Sequence, residues 1–185
     1  ICASSLLWEF LYRDVSKFLG KKIDVVPYIP DRLEQGYGLT RDSLNDLVDL
    51  DVKLVITVDC GIRDKELINE YIKEKGLHFI ITDHHQPPKN VIKDVQYPIV
   101  HQMYPEKEFP YKEISGTSVV YLLVQAIKNE LGMEIDPLEG LDLVALSTVT
   151  DIMPLQGVNR VLVKLGLEEI RKGQRLGLRM LALRA

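Results

Sequence analysis

At 185 residues, with 46% hydrophobic and 27% charged side chains, the chain can bury one substantial core and is predicted to form one globular domain. Its two cysteines lack the spacing of a disulfide framework or a zinc knuckle, which predicts a reducing, cytoplasmic location, and no apolar run reaches the ~18 residues of a membrane span. A formal net charge of −4 argues against a nucleic-acid-binding protein whose whole surface is basic.

Short apolar strands alternate with helical patterns along the chain. Helical spacing of apolar residues predicts helices over 3–19, 40–50, 64–76, 116–132, 137–152 and 159–173. Continuous or nearly continuous apolar runs predict strands over 22–30, 52–59, 77–83 and 95–100. This alternation predicts an α/β fold, a parallel β-sheet with helices on both faces, followed by a helical segment.

Acidic side chains follow three of the predicted buried segments. Asp59 comes after "LVITV", Asp83 comes after "FIIT" and is followed by His84 and His85, and Asp151 comes after "LSTVT". Ligands bind at the carboxyl ends of parallel strands, and neighbouring strand ends lie about 5 Å apart, so these groups can share one small volume. Clustered carboxylates repel one another unless a cation neutralises them. The pattern therefore predicts a site for Mn²⁺, or for Mg²⁺ if oxygen ligands dominate, and favours phosphoester hydrolysis with two ions.

Each of these residues also has a purely structural interpretation. Asp59 is compatible with a tight turn that caps the next helix, His84 and His85 with polar loop positions, and Asp151 with the end of a helix. Taken singly, the structural interpretations are favoured. Together they require three separate acids to follow buried segments by accident, and we therefore favour the metal site.

The C-terminal segment is basic. Its cations are Arg171, Lys172, Arg175, Arg179 and Arg184, and no acid follows Glu169. Two interpretations are open at this point, namely a solvated helix face and a stripe that faces phosphate groups.

Three short segments carry a resemblance to a known family. "VDCGI" at 58–62, "TDHH" at 82–85 and "TVTDIMPL" at 148–155 resemble, in order, the second, third and fourth motifs of the DHH phosphoesterase superfamily. Further similarity lies in "YIPDRLEQGYGLT", "SGTSVVYLLVQAI" and "GVNRVLVKLGLEEI", which resemble the RecJ branch. That branch contains single-strand-specific 5′→3′ DNA exonucleases, so the resemblance implies nuclease activity in DNA repair and recombination.

The resemblance also implies roles for single residues. Asp59 would bridge two metal ions, and His84 and Asp151 would complete the ligands of the second ion. Asp83 would orient a histidine, and His85 would contact the scissile phosphate or support the attacking water.

A further group is expected to lie along the path of the nucleic acid. It consists of Arg32, the backbone of Gly36, Tyr37 and Gly38, and Arg160 as an additional phosphate contact. Arginine offers a bidentate fork to phosphate, tyrosine can stack on a base, and glycine permits close backbone approach. A loop that turns into the next helix is the alternative for "GYGL". The expected partner is single-stranded DNA, with single-strand-binding or repair proteins beside it and no membrane.

Two features depart from the family pattern. The aspartate-rich first motif, which supplies ligands for the first ion, is not found. We therefore expect residues 1–155 to be a DHH catalytic domain lacking its first strand and motif, and 156–185 to be a helical segment leading towards a second domain, so that residues 1–185 alone are nearly inactive. His101 stands where the family more often has asparagine, which leaves the role of that position open.

Two other functions compete with the exonuclease. One is a related hydrolase of oligoribonucleotides or cyclic dinucleotides, and the other is a catalytically inactive DHH-fold scaffold that binds a replication or repair partner. The segment "PDRLEQGYGL" favours the exonuclease branch over the first alternative.

Overall fold

The computed structural model describes residues 1–31, 36–88, 95–103 and 109–184. Its helices are α1 (Cys2–Glu9), a π-helical turn (Phe10–Val15), α2 (Ser16–Leu19), α3 (Arg41–Asp49), α4 (Lys65–Lys75), α5 (Gly116–Glu130), α6 (Leu141–Thr150), α7 (Gly157–Arg171) and α8 (Leu176–Ala182). Its strands are β1 (Leu54–Val58), β2 (His78–Thr82) and β3 (Ile99–Val100). Within this part of the chain, no helix combines the length and the apolar character that a membrane crossing requires.

The three strands form one parallel sheet in the order β1-β2-β3. Leu54 pairs with His78 and Val58 with Thr82, so that β1 and β2 end level with each other. Ile81 and Thr82 pair with the two residues of β3. The chain segments that leave β1 and β2 therefore start side by side at the carboxyl edge of the sheet.

Helices cover both faces of this sheet, as the sequence predicts. On one face, Val55, Phe79 and Ile81 pack with α3 and α4 in a core that includes Leu44 and Ile68. On the other face, Ile56 and Val58 pack against a second core, built from α1, α5 and α6. The strand residues alternate between the two cores because successive side chains of a strand point to opposite faces.

Several predicted elements differ from the structure. The predicted strand over 22–30 is wrong, since the segment has no strand or helix assignment; Pro27 and Pro30 have no N–H to donate to a sheet ladder. The predicted strand over 95–100 is reduced to Ile99–Val100. The helix predicted over 137–152 begins only at Leu141, after a turn that ends at Gly140 with a φ of 83°.

The helix predicted at the N-terminus forms, but a π-helical turn interrupts it. It ends at Gly20 in the left-handed conformation, as predicted. The predicted N-cap of α3 is confirmed as well, because the Thr40 side chain accepts a hydrogen bond from the Ser43 backbone N–H.

Helix α7 packs closely against the first part of α6. A Cβ added at Gly166 would lie 2.1 Å from the carbonyl oxygen of Leu141. In the basic C-terminal segment, Arg175 forms ion pairs with Glu9 and Asp142, while Arg171 and Arg179 are exposed. Arg175 therefore joins α8 to the body of the fold, which excludes it from a stripe that faces phosphate groups.

Candidate metal and catalytic site

Two of the predicted acids leave neighbouring strands at the same edge of the sheet. The Asp59 N–H donates to the Thr82 carbonyl at 2.9 Å, and the Asp83 N–H donates to the Val100 carbonyl at 3.3 Å. Each acid thus extends the hydrogen bonding of the sheet by one residue. The sheet register places Asp59 beside the loop that carries Asp83, His84 and His85.

Asp59 is held in an unusual backbone conformation against the start of α5. Its φ is 63°, in the left-handed region that aspartate tolerates better than most residues. A Cβ added at Gly116, the first residue of α5, would lie only 2.4 Å from Asp59 Oδ1. Only glycine lets the N-terminus of α5 come this close to the carboxylate.

Asp83 is buried and serves as the anchor of the histidine loop. Its Oδ2 accepts a hydrogen bond from the Ile62 N–H at 3.0 Å, and its Oδ1 accepts from the N–H groups of His84 at 2.7 Å and His85 at 3.2 Å. Burial raises the pKa of Asp83, but hydrogen bonds from the His85 ring and from these backbone groups outweigh it, so the pKa lies below its ordinary value. Asp83 is therefore ionised and fixes the loop.

The tautomer of His84 follows from its partner. Its Nδ1 lies 2.8 Å from the Ile114 carbonyl oxygen, and because a carbonyl only accepts, Nδ1 carries the proton. In the neutral ring, Nε2 then bears a lone pair, and this atom lies 3.0 Å from Asp59 Oδ1. Among the described residues, Asp59 Oδ1 is buried and accepts no hydrogen bond. A separation of 3.0 Å is that of two neighbouring ligand atoms, each about 2.1 Å from one shared cation.

The charge of Asp59 acts on both neighbouring groups. Burial lowers the pKa of His84, but the close contact with Asp59 raises it more, so the pKa lies above its ordinary value. For Asp151, burial is the largest effect and the charge of Asp59 the second, and both raise the pKa. Asp59, His84 and Asp151 therefore interact electrostatically.

The potential ligand atoms that lie close together belong to a slightly different set of residues, with His85 in place of Asp151. Atoms of Asp59, His84 and His85 lie within 4.8 Å of one another. Metal–ligand bonds about 2.1 Å long place opposite ligands about 4.2 Å apart, so this spacing suits a single ion after small adjustments. Asp151 ends α6, where its Oδ2 accepts a hydrogen bond from Ser147 at 3.4 Å, and it is not in this grouping.

His85 is oriented by Asp83 and exposed towards solvent. Its Nδ1 donates to Asp83 Oδ1 at 2.8 Å, and its side chain is 53% exposed. Nε2 is consequently the ring atom left available for a ligand. The pairing that the resemblance implied, with Asp83 orienting a histidine, is present as a contact.

The residues predicted along the nucleic-acid path are only partly described. Arg32 lies outside the described residues. Gly36 and Gly38 have φ values of 74° and 80°, and Tyr37 between them is 83% exposed. The Leu39 N–H donates to Asp64 Oδ2 at 3.3 Å, which ties this loop to the segment that follows Asp59.

Arg160 lies on the exposed side of α7. Among the residues that the structure describes, no hydrogen bond or ion pair joins it to the candidate metal site, and its assignment as a phosphate contact stays a prediction.

Two residues support the histidine loop in a way that was not predicted from the sequence. His101 and Gln102 follow β3 directly and are buried, and they donate to the carbonyl groups of His85 and His84. The rule that singled out Asp59 and Asp83, namely that functional residues follow strand ends, applies to His101 as well. That signal is present in the sequence, because the predicted strand over 95–100 ends directly before His101.

Comparisons with known proteins identify the family. The model of the DHH family, N-terminal domain, matches residues 1–148. The chain is 41% identical over 156 residues to the single-stranded-DNA-specific exonuclease RecJ of Bacillus subtilis, covering 83% of this chain and 19% of that protein. It is 40% identical over 161 residues to RecJ of Thermus thermophilus, covering 86% of this chain and 23% of that protein.

A solved structure shows the same fold. The crystal structure of exonuclease RecJ bound to manganese superposes with a TM-score of 0.78 at 36% sequence identity, covering 99% of this chain and 44% of that chain. The chain thus spans about a fifth of the two curated relatives. Since the family model matches 148 consecutive residues, which include Asp59 and the Asp83-His84-His85 loop, the chain belongs to the DHH family.

Proposed function

We propose that this chain forms the metal-binding site of a single-stranded-DNA-specific 5′→3′ exonuclease that hydrolyses phosphodiester bonds. The observation that carries the proposal is the pair of facing atoms, His84 Nε2 and Asp59 Oδ1, 3.0 Å apart. The Ile114 carbonyl fixes the His84 tautomer that leaves Nε2 as a ligand. The names of the two RecJ relatives supply the substrate class and the reaction.

The residues divide into ion ligands and groups that act on the substrate. Asp59, His84 and Asp151 would hold Mn²⁺, with Mg²⁺ as the alternative, and Asp59 would also serve a second ion in the complete enzyme. Bound ions supply positive charge to the phosphoryl oxygens and lower the pKa of the attacking water. We assign Asp151 to the ligands because "TVTDIMPL" resembles the fourth motif of the family, and the charge of Asp59 contributes to the raised pKa of this carboxyl group.

His85 acts on the phosphate rather than on the ion in this proposal. Because Asp83 accepts the Nδ1 proton, it fixes the orientation of the ring and leaves Nε2 to contact the scissile phosphate or to support the attacking water. The exposure of the ring leaves room for the substrate. The same contact with Asp83 sets the direction from which His85 approaches the phosphate.

The strand of DNA is proposed to reach this site along the "GYGL" loop. Tyr37 is exposed and suits stacking on a base, and Gly36 and Gly38 allow the backbone of the loop to approach the DNA. Arg32 and Arg160 are the proposed phosphate contacts. A cytoplasmic location and a role in DNA repair and recombination belong to the same proposal.

Substrate release assays on the complete product of the reading frame that contains these residues test the proposal. We expect Mn²⁺-dependent release of mononucleotides from the 5′ end of single-stranded DNA, and slower release from duplex DNA and oligoribonucleotides. Hydrolysis of cyclic dinucleotides without attack on single-stranded DNA would assign the chain to the other hydrolase class. An inactive complete protein that still binds Mn²⁺ would favour the scaffold.

The DNA path is tested separately by binding. Arg32→Ala should reduce the slope of the logarithm of the binding constant for single-stranded DNA against the logarithm of salt concentration by about one unit, because one phosphate contact is lost. Mn²⁺ affinity should not change. An unchanged slope would remove Arg32 from the path.

A further inference from the structure

The backbone of the two adjacent histidines is held from two sides. On one side, Asp83 accepts hydrogen bonds from the N–H groups of both His84 and His85. On the other side, the residues that follow β3 donate to the two carbonyl groups. His101 Nε2 lies 2.8 Å from the His85 oxygen, and Gln102 Nε2 lies 2.8 Å from the His84 oxygen. Every polar backbone atom of the pair therefore has a partner.

The proton positions on His101 are set by its contacts. The Met103 N–H donates to Nδ1 at 3.0 Å, so Nδ1 bears the lone pair. Nε2 then carries the proton and donates it to the His85 carbonyl. His101 is only 7% exposed, so water does not readily replace either bond.

Gln102 connects the loop to a second segment. Its side-chain amide donates to the His84 carbonyl at 2.8 Å and to the Lys112 carbonyl at 3.1 Å. Lys112 lies two residues before Ile114, whose carbonyl fixes the His84 ring. Gln102 thus joins the backbone of His84 to the segment that orients its side chain.

We propose that His101 and Gln102 are positioning residues, with His101 setting the place of His85 and Gln102 setting the place of His84. The proposal rests on the proposed function, since it assigns His85 to the phosphate and His84 to the ion. A displacement of about 1 Å at a reacting group can lower a rate about a hundredfold. Two donors that fix successive carbonyls limit such displacement.

Two substitutions at His101 isolate the donor to the His85 carbonyl. The side chain of His101→Leu keeps much of the volume of the ring but has no donor for that carbonyl. The amide nitrogen of His101→Gln can stand where Nε2 donates to it. In the complete protein, we expect His101→Leu to lower kcat about thirtyfold with KM and the Mn²⁺ Kd within about twofold, and His101→Gln to retain kcat within about threefold.

Gln102 is tested by a different measurement. Gln102→Met keeps the length of the side chain and removes the amide, and we expect the Mn²⁺ Kd to rise about tenfold, as when other groups that orient metal ligands are lost. Calorimetric titration with Mn²⁺ measures this without reference to activity. An unchanged Kd would overturn the assignment of Gln102.

A comparison with His85→Ala distinguishes failure of this inference from failure of the proposed function. If His101 acts through His85, adding His101→Leu to His85→Ala should lower kcat no further. Equal losses in His101→Leu and His101→Gln, or additive losses with His85→Ala, would overturn the positioning role. Full activity of His85→Ala would instead contradict the role proposed for His85 itself. Urea unfolding of each variant confirms that the comparison is between folded proteins.

Discussion

Two groups of charged side chains are each built around a buried residue, Lys128 in one and Asp83 in the other, and they differ in how their charge is balanced. The lysine cluster consists of Arg13, Asp14, Lys128 and Glu139. Lys128 Nζ lies 2.9 Å from Asp14 Oδ2 and 2.6 Å from Glu139 Oε2, and Arg13 contacts both acids. Two cations therefore meet two acids, and nothing further is needed.

The strand-end site consists of Asp59, Asp83, His84, His85 and Asp151. Within the described ranges, no lysine or arginine forms an ion pair with any of its three acids. Asp83 is satisfied by N–H donors, whereas one oxygen of Asp59 is buried without a donor. Acids that pair with a lysine or arginine of the protein therefore do not indicate a ligand site. An acid such as Asp59, which has a buried oxygen and no lysine or arginine partner among the described residues, does indicate one.

The largest expected effect comes from removing the charge of Asp59. Asp59→Asn should weaken Mn²⁺ binding about a hundredfold and lower the nuclease rate about a thousandfold or more, because the ion loses its central carboxylate. The free energy of unfolding without metal should stay equal or rise, since a charge that repels Asp151 is gone. Mn²⁺ titration, nuclease assays and urea unfolding measure the three quantities. Asp24→Asn, at an exposed acid, is the control and should change none of the three quantities. An Asp59→Asn protein that binds Mn²⁺ normally would contradict the assignment of Asp59 as a metal ligand.

Removing the lysine from the lysine cluster should lower the stability of the protein and leave its Mn²⁺ affinity unchanged. Lys128→Met leaves Asp14 and Glu139 with only the exposed Arg13, and should lower the free energy of unfolding by about 3 kcal/mol, because Lys128 is buried. Mn²⁺ affinity of the folded protein should not change. Lys172→Met, which removes an exposed partner of Glu169, should cost less than about 0.5 kcal/mol. A loss of Mn²⁺ binding in Lys128→Met would show that the two clusters are coupled.

Mn²⁺ binding at the strand-end site should also depend on pH, because protons compete with the ion for its ligands. The pKa of His84 is raised above its ordinary value, so this ring holds its second proton to a higher pH than usual, and Mn²⁺ must displace that proton. Mn²⁺ affinity should therefore rise about tenfold from about pH 6 to about pH 8. In the lysine cluster, burial raises the pKa of Asp14 but its cations lower it more, so that acid stays ionised in this range. Calorimetric titration across the range tests the prediction, and a constant affinity would contradict it.

The sequence predicted the parts of this site that depend on local pattern. Continuous apolar runs located β1 and β2, and the parallel arrangement then placed Asp59 beside the Asp83-His84-His85 loop. The contact between His84 and the Ile114 carbonyl was not predictable, because it joins segments 30 residues apart in the chain. The same holds for the closeness of Gly116 to Asp59.

Elsewhere the local pattern was misleading or too weak. Residues 22–30 have apolar and β-branched composition, but their prolines remove donors that a sheet needs. The strand before His101 and Gln102 was predicted, but their hydrogen bonds reach carbonyl groups 16 and 18 positions earlier, which no local pattern encodes. The lysine cluster depends on pairs such as Lys128 with Asp14, which lie far apart in the chain and carry no motif.

The smallest expected effect concerns backbone strain, which also separates the two regions. Of the non-glycine residues described with positive φ, Asp59 is in the strand-end site and Ile152 directly follows Asp151, whereas none is in the lysine cluster. Ile152 has a φ of 55° and is 88% exposed, so it adopts a costly conformation for a β-branched residue and gains little from burial. Left-handed backbone costs a non-glycine residue about 1–2 kcal/mol, and glycine removes this cost. Glycine also raises the entropy of the unfolded chain, which lowers the free energy of unfolding by about 0.5–1 kcal/mol. Ile152→Gly should therefore raise the free energy of unfolding by about 0.5–1 kcal/mol in urea titrations.

Val149→Gly, at an exposed position inside α6, is the control and should lower the free energy of unfolding by a similar amount, because its backbone is already helical. If Ile152→Gly is destabilising, the side chain contributes more through its contacts than the backbone loses through strain, and strain would no longer distinguish the two regions.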